Sequence, residues 1–464
     1  MKKLIILTTI VLFALGFAMA AYAEDTPSNT PVVAKGDTKI TIGGEIRFRG
    51  EFDSNINDQL NDGTLRPSGT KMVGGTDDHK AYYDGRVRLN VDAKVSDAVE
   101  GYVELETGDN THDTWVWGAN ATPNGPGGVP AGATGIYPAG NTKEGSLYLR
   151  QAWLQYAKDE YGLKVGHQLL KLGNSLFFDH TKYGDDAILV FANPVKNLTL
   201  AALTARFQER SQYVNDDSSD YTILAVYKGE NYNISGDVSF VNDQGFANLV
   251  PSYSKAHVWN FGIRGDATFA NVVIRPDLEI QAGKFIGITK VPDATVKGWS
   301  WMFGLDYKLE PAVLTLEAAQ GSGKKSTTTD FESYITSLGS DQHYTFVYEY
   351  RMKAASGTIG TGVANTTYIK GGANANFTKD LSGEMYLYWL RATEAVALNS
   401  VSALKDSPSH NLGWELDAKV SYMLAKNLKY YVEGGYMWVG DAYNYAGIGK
   451  NDAYGIRNGI QLNF

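Results

Sequence analysis

Residues 84–95 put Asp84, Arg86, Arg88, Asn90, Asp92 and Lys94 on one side of an extended chain and Val87, Leu89, Val91, Ala93 and Val95 on the other. A period of two is the mark of a strand whose two faces meet different media. The same split recurs in residues 39–52, where Arg47 and Arg49 oppose Ile46 and Phe48, in 274–282 and in 414–422. It is complete in the last eleven residues, with Tyr454, Ile456, Asn458, Ile460, Leu462 and Phe464 against Gly455, Arg457, Gly459, Gln461 and Asn463. Alternation repeated from end to end leaves a sheet with one apolar and one polar face, and the fold must say what each face touches.

Two environments compete. A soluble sandwich or propeller buries the apolar face under a second layer and predicts blade-length repeats or balanced loops at both ends, neither of which is visible. A membrane sheet turns that face to lipid, and because lipid cannot hydrogen-bond backbone groups it must close on itself. The connections favour the membrane. Tight turns near 96–97, 158–160, 194–196, 228–230, 270–271, 310–311, 378–380 and 425–427 alternate with long polar stretches, including 108–144 and 321–365. The count is about eighteen strands, an all-β transmembrane antiparallel barrel with short turns on the periplasmic side and long loops outside. Residues 198–207 and 221–227 have no readable faces, and Pro276 predicts a bulge or local weakening because proline donates no ladder bond. Aromatics gather near strand ends, at Tyr82, Tyr83, Trp299, Trp301, Tyr430, Tyr436 and Trp438, as interfacial girdles do.

Composition narrows the class. A mean hydropathy of −0.26 excludes a polytopic helical membrane protein. The absence of cysteine removes disulfides, thiolate metal sites and haem attachment. Residues 1–23 read as a signal peptide, with Lys2 and Lys3, an apolar core over 4–17 and Ala21-Tyr22-Ala23 at the cleavage site. Residues 24–37 read as a flexible N-terminal segment and 38–464 as the barrel. Removing 1–23 takes away two lysines and no acids and moves the formal charge from −9 to −11, which argues against nucleic acid.

Catalytic chemistry is not encoded in any recognisable pattern. The stretch Gly321-Ser322-Gly323-Lys324-Lys325-Ser326 lacks the upstream glycine and the Ser or Thr after its first lysine that a phosphate loop requires. The seven histidines show no zinc spacing, so no metal and no cofactor is expected. Asp77-Asp78, Asp185-Asp186 and Asp216-Asp217 read as solvated loop ends.

Residues 412–417 (Leu-Gly-Trp-Glu-Leu-Asp), Tyr422, Asn427-Leu428, Gly434-Gly435-Tyr436 and Gly440-Asp441 resemble the carboxy-terminal signature of alginate-export-type outer-membrane porins. Arg150-Gln151-Ala152-Trp153, leading to residues 162–168, is similar to that family's early hairpin, in which Arg often stands where this chain has His167. The terminal aromatic strand likewise resembles the closing strand of Gram-negative outer-membrane barrels. The resemblance implies an eighteen-stranded passive pore with an infolded loop, in the outer membrane of a Gram-negative bacterium.

The inward faces carry Arg47, Arg49, Arg86, Arg88, Arg264 and Arg275 together with Glu104, Glu106, Asp277, Glu279, Glu415 and Asp417. The signs roughly cancel, whereas a channel for an anionic polymer needs a basic excess. The expected function is therefore a water-filled porin for small hydrophilic solutes and ions, with a sheath around a partner protein or a polysaccharide exporter as alternatives. Arg47, Arg49, Arg86 and Arg88 form one basic strip, and acids on the opposite wall would set a transverse field. The third outer loop, 169–186, carries Leu169, Leu170, Leu176, Phe177 and Phe178, which suits a loop folded back into the lumen. Its candidate constriction residues are Lys171, Phe177, Phe178, Asp179, His180 and Lys182, and loop 108–144 is the rival plug. Expected partners are outer-membrane lipid, lipopolysaccharide and small hydrophilic solutes, with a homo-trimer left open.

Overall fold

A computed structural model describes residues 38–56, 79–108, 114–117, 146–211, 213–325, 328–340, 343–353, 361–396, 408–444 and 450–464, and the backbone of 32–35, 66–68 and 71–73. Residues 1–23, read as a signal peptide, Asp77-Asp78 and most of loop 108–144 lie outside the described residues. Within the stretch read as a flexible segment, Val32–Lys35 pairs antiparallel with the start of the first barrel strand.

Eighteen long strands follow in chain order: β1 (Thr38–Ser54), β2 (His79–Lys94), β3 (Val99–Gly108), β4 (Ser146–Lys158), β5 (Tyr161–Gln168), β6 (Asp185–Val195), β7 (Leu198–Gln208), β8 (Ser218–Lys228), β9 (Tyr232–Asp243), β10 (Tyr253–Phe269), β11 (Val272–Gly287), β12 (Trp299–Leu309), β13 (Ala312–Gly321), β14 (Thr366–Asn376), β15 (Leu381–Val396), β16 (Ser409–Ala425), β17 (Leu428–Val439) and β18 (Ala453–Asn463). Each pairs antiparallel with its sequence neighbours, and β18 pairs with β1 from Glu45↔Asn463 to Ser54↔Tyr454, so the wall has no edge. Closure satisfies every strand's ladder within the protein, as lipid requires. Most strands have the ~9–11 residues that span a bilayer at a tilt, or more.

The outer face decides the medium. Leu154 is 71% exposed, Ile223 69%, Leu316 57%, Met385 57% and Ile456 54%, each between inward-facing neighbours on its strand. Apolar surface of this extent around a whole circumference faces lipid. No helix among the described residues is long and apolar enough to cross a membrane; the strands do so. All eight short turns fall at one end and all nine long connections at the other.

Strands β7 and β8 had no readable faces because both of their faces are apolar. Ala201, Leu203, Ala205 and Leu224 point inward and are buried, while Leu200, Ala202 and Ile223 point out. The inward set packs under an infolded loop described below. At Pro276 the β10–β11 ladder lapses between Arg264↔Asp277 and Ala267↔Ile274, but the register is the same on both sides. Proline therefore weakens the pairing without a bulge, because the β12 side of the strand stays paired at Pro276↔Phe303.

The seam between first and last strands leaves little space at Gly44. A Cβ there would lie 2.4 Å from the Arg88 carbonyl and 2.7 Å from the Phe464 ring. Gly44→Val is expected to cost about 1–3 kcal/mol by overpacking, read as a lower temperature for conversion of the folded band on unboiled SDS gels. An unchanged conversion temperature contradicts this account of the seam.

Candidate functional site

Because inward residues sit opposite inward residues, the register stacks the lumen's charges. Arg47 stands directly across from Arg86, Glu45 from Arg88, and Arg49 from Asp84. Like charges facing each other across strands repel, and the sequence relieves this with carboxylates on the same arc. Arg49 makes two bonds to Asp84, at 2.9 and 2.6 Å, and Arg86 makes two to Glu45, at 2.7 and 3.0 Å. Arg88 bonds Glu106, while Arg150 reaches Glu104 at 2.7 Å and Glu106 at 3.4 Å. On β18, Arg457 bridges Glu433 (2.5 Å) and Glu51 (3.1 Å). The four arginines of the predicted strip are thus together, with acids interleaved among them on the same arc. Bidentate pairing of this kind also fixes each guanidinium's plane.

The far wall carries a different balance. Arg264 on β10 is shared by Asp237 (2.5 Å), Glu279 (2.6 Å) and Asp277 (3.5 Å), all of them buried. Arg275 is shared by Asp306 (2.9 Å) and Glu317 (3.1 Å). Here acids outnumber bases, in contrast to the matched arc on β1–β4.

Loop 169–184 runs between these walls. It folds as a hairpin, with Leu172 N–H donating to the Phe178 carbonyl and His180 N–H to that of Leu170. Leu170, Leu172, Leu176, Phe177 and Phe178 are all buried, and Phe178 stacks on Phe207 of β7 at 5.2 Å. The loop tip reaches β10 and β11: Asn174 donates to Asp277 at 2.9 Å, and Gly173 (φ 51°) lies where a Cβ would be 2.0 Å from the Arg264 side chain. At the other end Arg150 donates to the Thr181 carbonyl at 2.9 Å. Asp179 is fully buried and accepts from Ser175 and Thr181, both at 2.6 Å. Lys182 sits over the Tyr183 ring at 5.3 Å. Lys171 is 2% exposed, and its ammonium has no hydrogen-bond partner among the described residues.

The long connection 322–365 also enters the lumen, which its polar composition does not announce. Ser337–Leu338 pairs with Phe178–Asp179 in a short parallel ladder. His180 joins the two loops, bonding Asp185 at 2.8 Å and the Ser337 hydroxyl at 2.9 Å. Further on, residues 343–353 lie against β16, β18 and β1. Glu415 accepts the N–H groups of Val347 (2.5 Å) and Tyr348 (2.8 Å), and Asp417 accepts that of Phe346 (2.9 Å). These are the donors that open the six-residue helical turn Tyr348–Lys353, where carboxylates are favoured. Neither carboxylate has a basic group within ion-pair distance among the described residues. From the same turn Arg351 bonds Asp53 of β1 at 2.7 Å and lies over Phe346 at 3.9 Å and Tyr350 at 4.7 Å. Arg457 and Glu433 sit on inward faces as the alternation of their strands implies, whereas Arg351 and Tyr348 belong to the site although sequence reading did not single them out. The signal that could have found Arg351 is the aromatic-rich stretch 344–350 that precedes it, inside a loop otherwise full of Gly, Ser and Thr.

Outside the membrane-spanning strands, hydrogen bonds from Lys450 and Asn411 hold the Asp441 carboxyl below its ordinary range. This ties the ends of loop 440–452 together.

No family model matches the chain and no curated protein matches it. Solved structures do. OccK2 (OpdF) of Pseudomonas aeruginosa aligns at a TM-score of 0.54 and 9% identity over 91% of this chain and 98% of that one. OpdK of the same species, crystallised with vanillate, aligns at 0.53 and 9% identity over 91% and 98%. OccK8 (OprE) aligns at 0.52 and 10% over 91% and 98%. At such identities the likeness is one of fold: this chain has the barrel architecture of these Pseudomonas proteins along nearly their whole length.

Proposed function

We propose that the protein is an outer-membrane porin of a Gram-negative bacterium, exported by residues 1–23, through which small hydrophilic solutes and ions diffuse passively. One observation carries the reading: a closed wall, apolar outside and charged inside, is entered by two loops of its own. The passage runs past the arginine arc of β1–β4, loop 169–184 and the turn at 345–353. The arc sets ion preference. Vanillate, an aromatic carboxylate bound by one protein of similar fold, is a suitable probe solute.

The finer resemblance to alginate exporters gains little support. A polyuronate needs a continuous, uncompensated basic track, whereas the arc's arginines are matched by Glu45, Asp84, Glu104 and Glu106. A sheath around a partner protein is disfavoured by the same loops, which occupy the space that a partner would need.

Planar-bilayer recording of the purified chain tests the proposal, with stable open steps that shrink as sugars of increasing size are added. Silence at modest salt contradicts it. Replacing Arg47, Arg49, Arg86 and Arg88 together by glutamine leaves Glu45, Asp84 and Glu106 uncompensated. The cation-to-anion permeability ratio is then expected to rise about threefold or more, and an unchanged reversal potential in a salt gradient removes the arc from the account of selectivity.

A further inference from the structure

At the loop end of the barrel's outer face, four side chains line up across neighbouring strands. Asn242 on β9 is opposite His257 on β10, His257 is opposite Lys284 on β11, and Lys284 is opposite Thr295 of the short strand Ala294–Val296. Strand alternation turns this row outward, because the flanking Ala256, Val258, Phe285, Ala294 and Val296 are buried inside. At a strand spacing of roughly 4.8 Å the row spans about 14 Å. It presents an amide, an imidazole, an ammonium and a hydroxyl. Lys255 lies two residues further out on the same face. Neither Lys255 nor Lys284 forms an ion pair among the described residues, whereas the nearby Lys297 is held by Asp330 at 2.5 Å.

Immediately toward the membrane the next row is apolar, Phe240 opposite Trp259 opposite Ala282, with the two rings stacked at 4.5 Å. Beside it an open groove of about 610 Å³ lies between β11 and β12, lined by Leu278, Ile280, Ala282 and Trp299, with Thr295 and Lys297 at its upper rim. The groove has a topological cause. The outer part of β11 pairs with Ala294–Val296 and the inner part with β12 from Trp299, so the wall steps at Lys297-Gly298.

We propose that this face is a binding site for a phosphorylated, multiply acylated glycolipid of the outer leaflet, of the lipid A class. One acyl chain lies in the groove and a phosphate sits on the row formed by Asn242, His257, Lys284 and Thr295. The inference rests on the outer-membrane reading, because it places the row at the outer leaflet's headgroup level. Each part supplies what the lipid needs. The groove takes methylene groups out of water, the stacked rings mark the interface, and cations without acid partners meet phosphate just above it. A row about 14 Å wide with several donors suits a bis-phosphorylated disaccharide better than the single charge of a phosphodiester.

Native mass spectrometry of the detergent-purified full chain tests this, using bis-phosphorylated lipid A, its monophosphorylated form, phosphatidylglycerol and inorganic pyrophosphate as probes. The wild type is expected to retain one bis-phosphorylated lipid A, with weaker retention of the monophosphorylated form and of phosphatidylglycerol and none of pyrophosphate alone. His257→Ala with Lys284→Ala should weaken retention about tenfold. Ala282→Trp, which fills the groove and leaves the charges, should weaken it as well. Equal retention by wild type and both variants, or phosphatidylglycerol binding as well as lipid A, overturns the proposal, and so does pyrophosphate binding alone. Bilayer conductance of the same preparations separates the two claims. Conducting variants that have lost the lipid support the site, and a wild type that conducts but retains no lipid A sinks the site while leaving the porin standing.

Discussion

Glu415→Ala, alone or with Asp417→Asn, is expected to convert a narrow, steady channel into a wider and noisier one. In the wild type these two carboxylates hold the backbone of Phe346, Val347 and Tyr348 inside the lumen. Hydrogen bonds to charged groups contribute about 1.5–3 kcal/mol each. Losing the two that Glu415 makes changes the population of the docked turn by a factor on the order of 10² to 10⁴. The turn keeps its second anchor, Arg351 on Asp53, so the expected result is frequent undocking and not loss of the loop. Conductance should rise, openings should flicker, and sugars excluded by the wild type should pass. Glu415→Gln retains the shape and one acceptor and should fall between. If single-channel conductance and the sugar cut-off match wild type in all three variants, then the carboxylates do not position the turn.

The second large effect is on stability. Arg264→Met leaves Asp237, Asp277 and Glu279 buried side by side with no cation among them. Removing one partner from a buried ionic cluster costs roughly 3–5 kcal/mol, and this cluster would keep three carboxylates. The midpoint of urea unfolding in vesicles should fall accordingly. Arg275→Met, at a side chain that is 27% exposed, should cost less. Adding Asp237→Asn and Glu279→Gln to Arg264→Met should recover part of the loss. A midpoint unaffected by Arg264→Met would mean that the cluster is neutralised by other means.

The wall was legible in the sequence because lipid on one side and water on the other impose a strict period of two, and residues 84–95 or 454–464 need no other information. Legibility failed on β7 and β8, where Leu203 and Leu224 face a loop instead of water and erase the contrast between faces. The apolar run in 169–178 was a readable anomaly for a loop, and the structure buries it. The entry of 322–365 left only its aromatic cluster at 344–350 as a local sign. Its anchors are polar groups distant in sequence, Glu415 to Val347 across 68 residues and Arg351 to Asp53 across 298, and such pairings leave no local pattern. The pairing inside the arginine arc was unreadable for a related reason. Strand identity was clear, but which carboxylate meets which arginine depends on register, and register is set by the closed ladder as a whole.

That ladder joins the two extremes of the chain: Gln461 on the last strand donates to Glu45 on the first, 416 positions earlier. Contacts between such remote segments form last and slowly. Until they form, a half-built wall would carry two raw margins of unsatisfied amides, which hydrocarbon does not tolerate. Insertion therefore has to wait for the final hairpin, and a stalled or clipped translation product should accumulate as a chaperone-bound, protease-sensitive polypeptide in the aqueous compartment, never as a smaller pore.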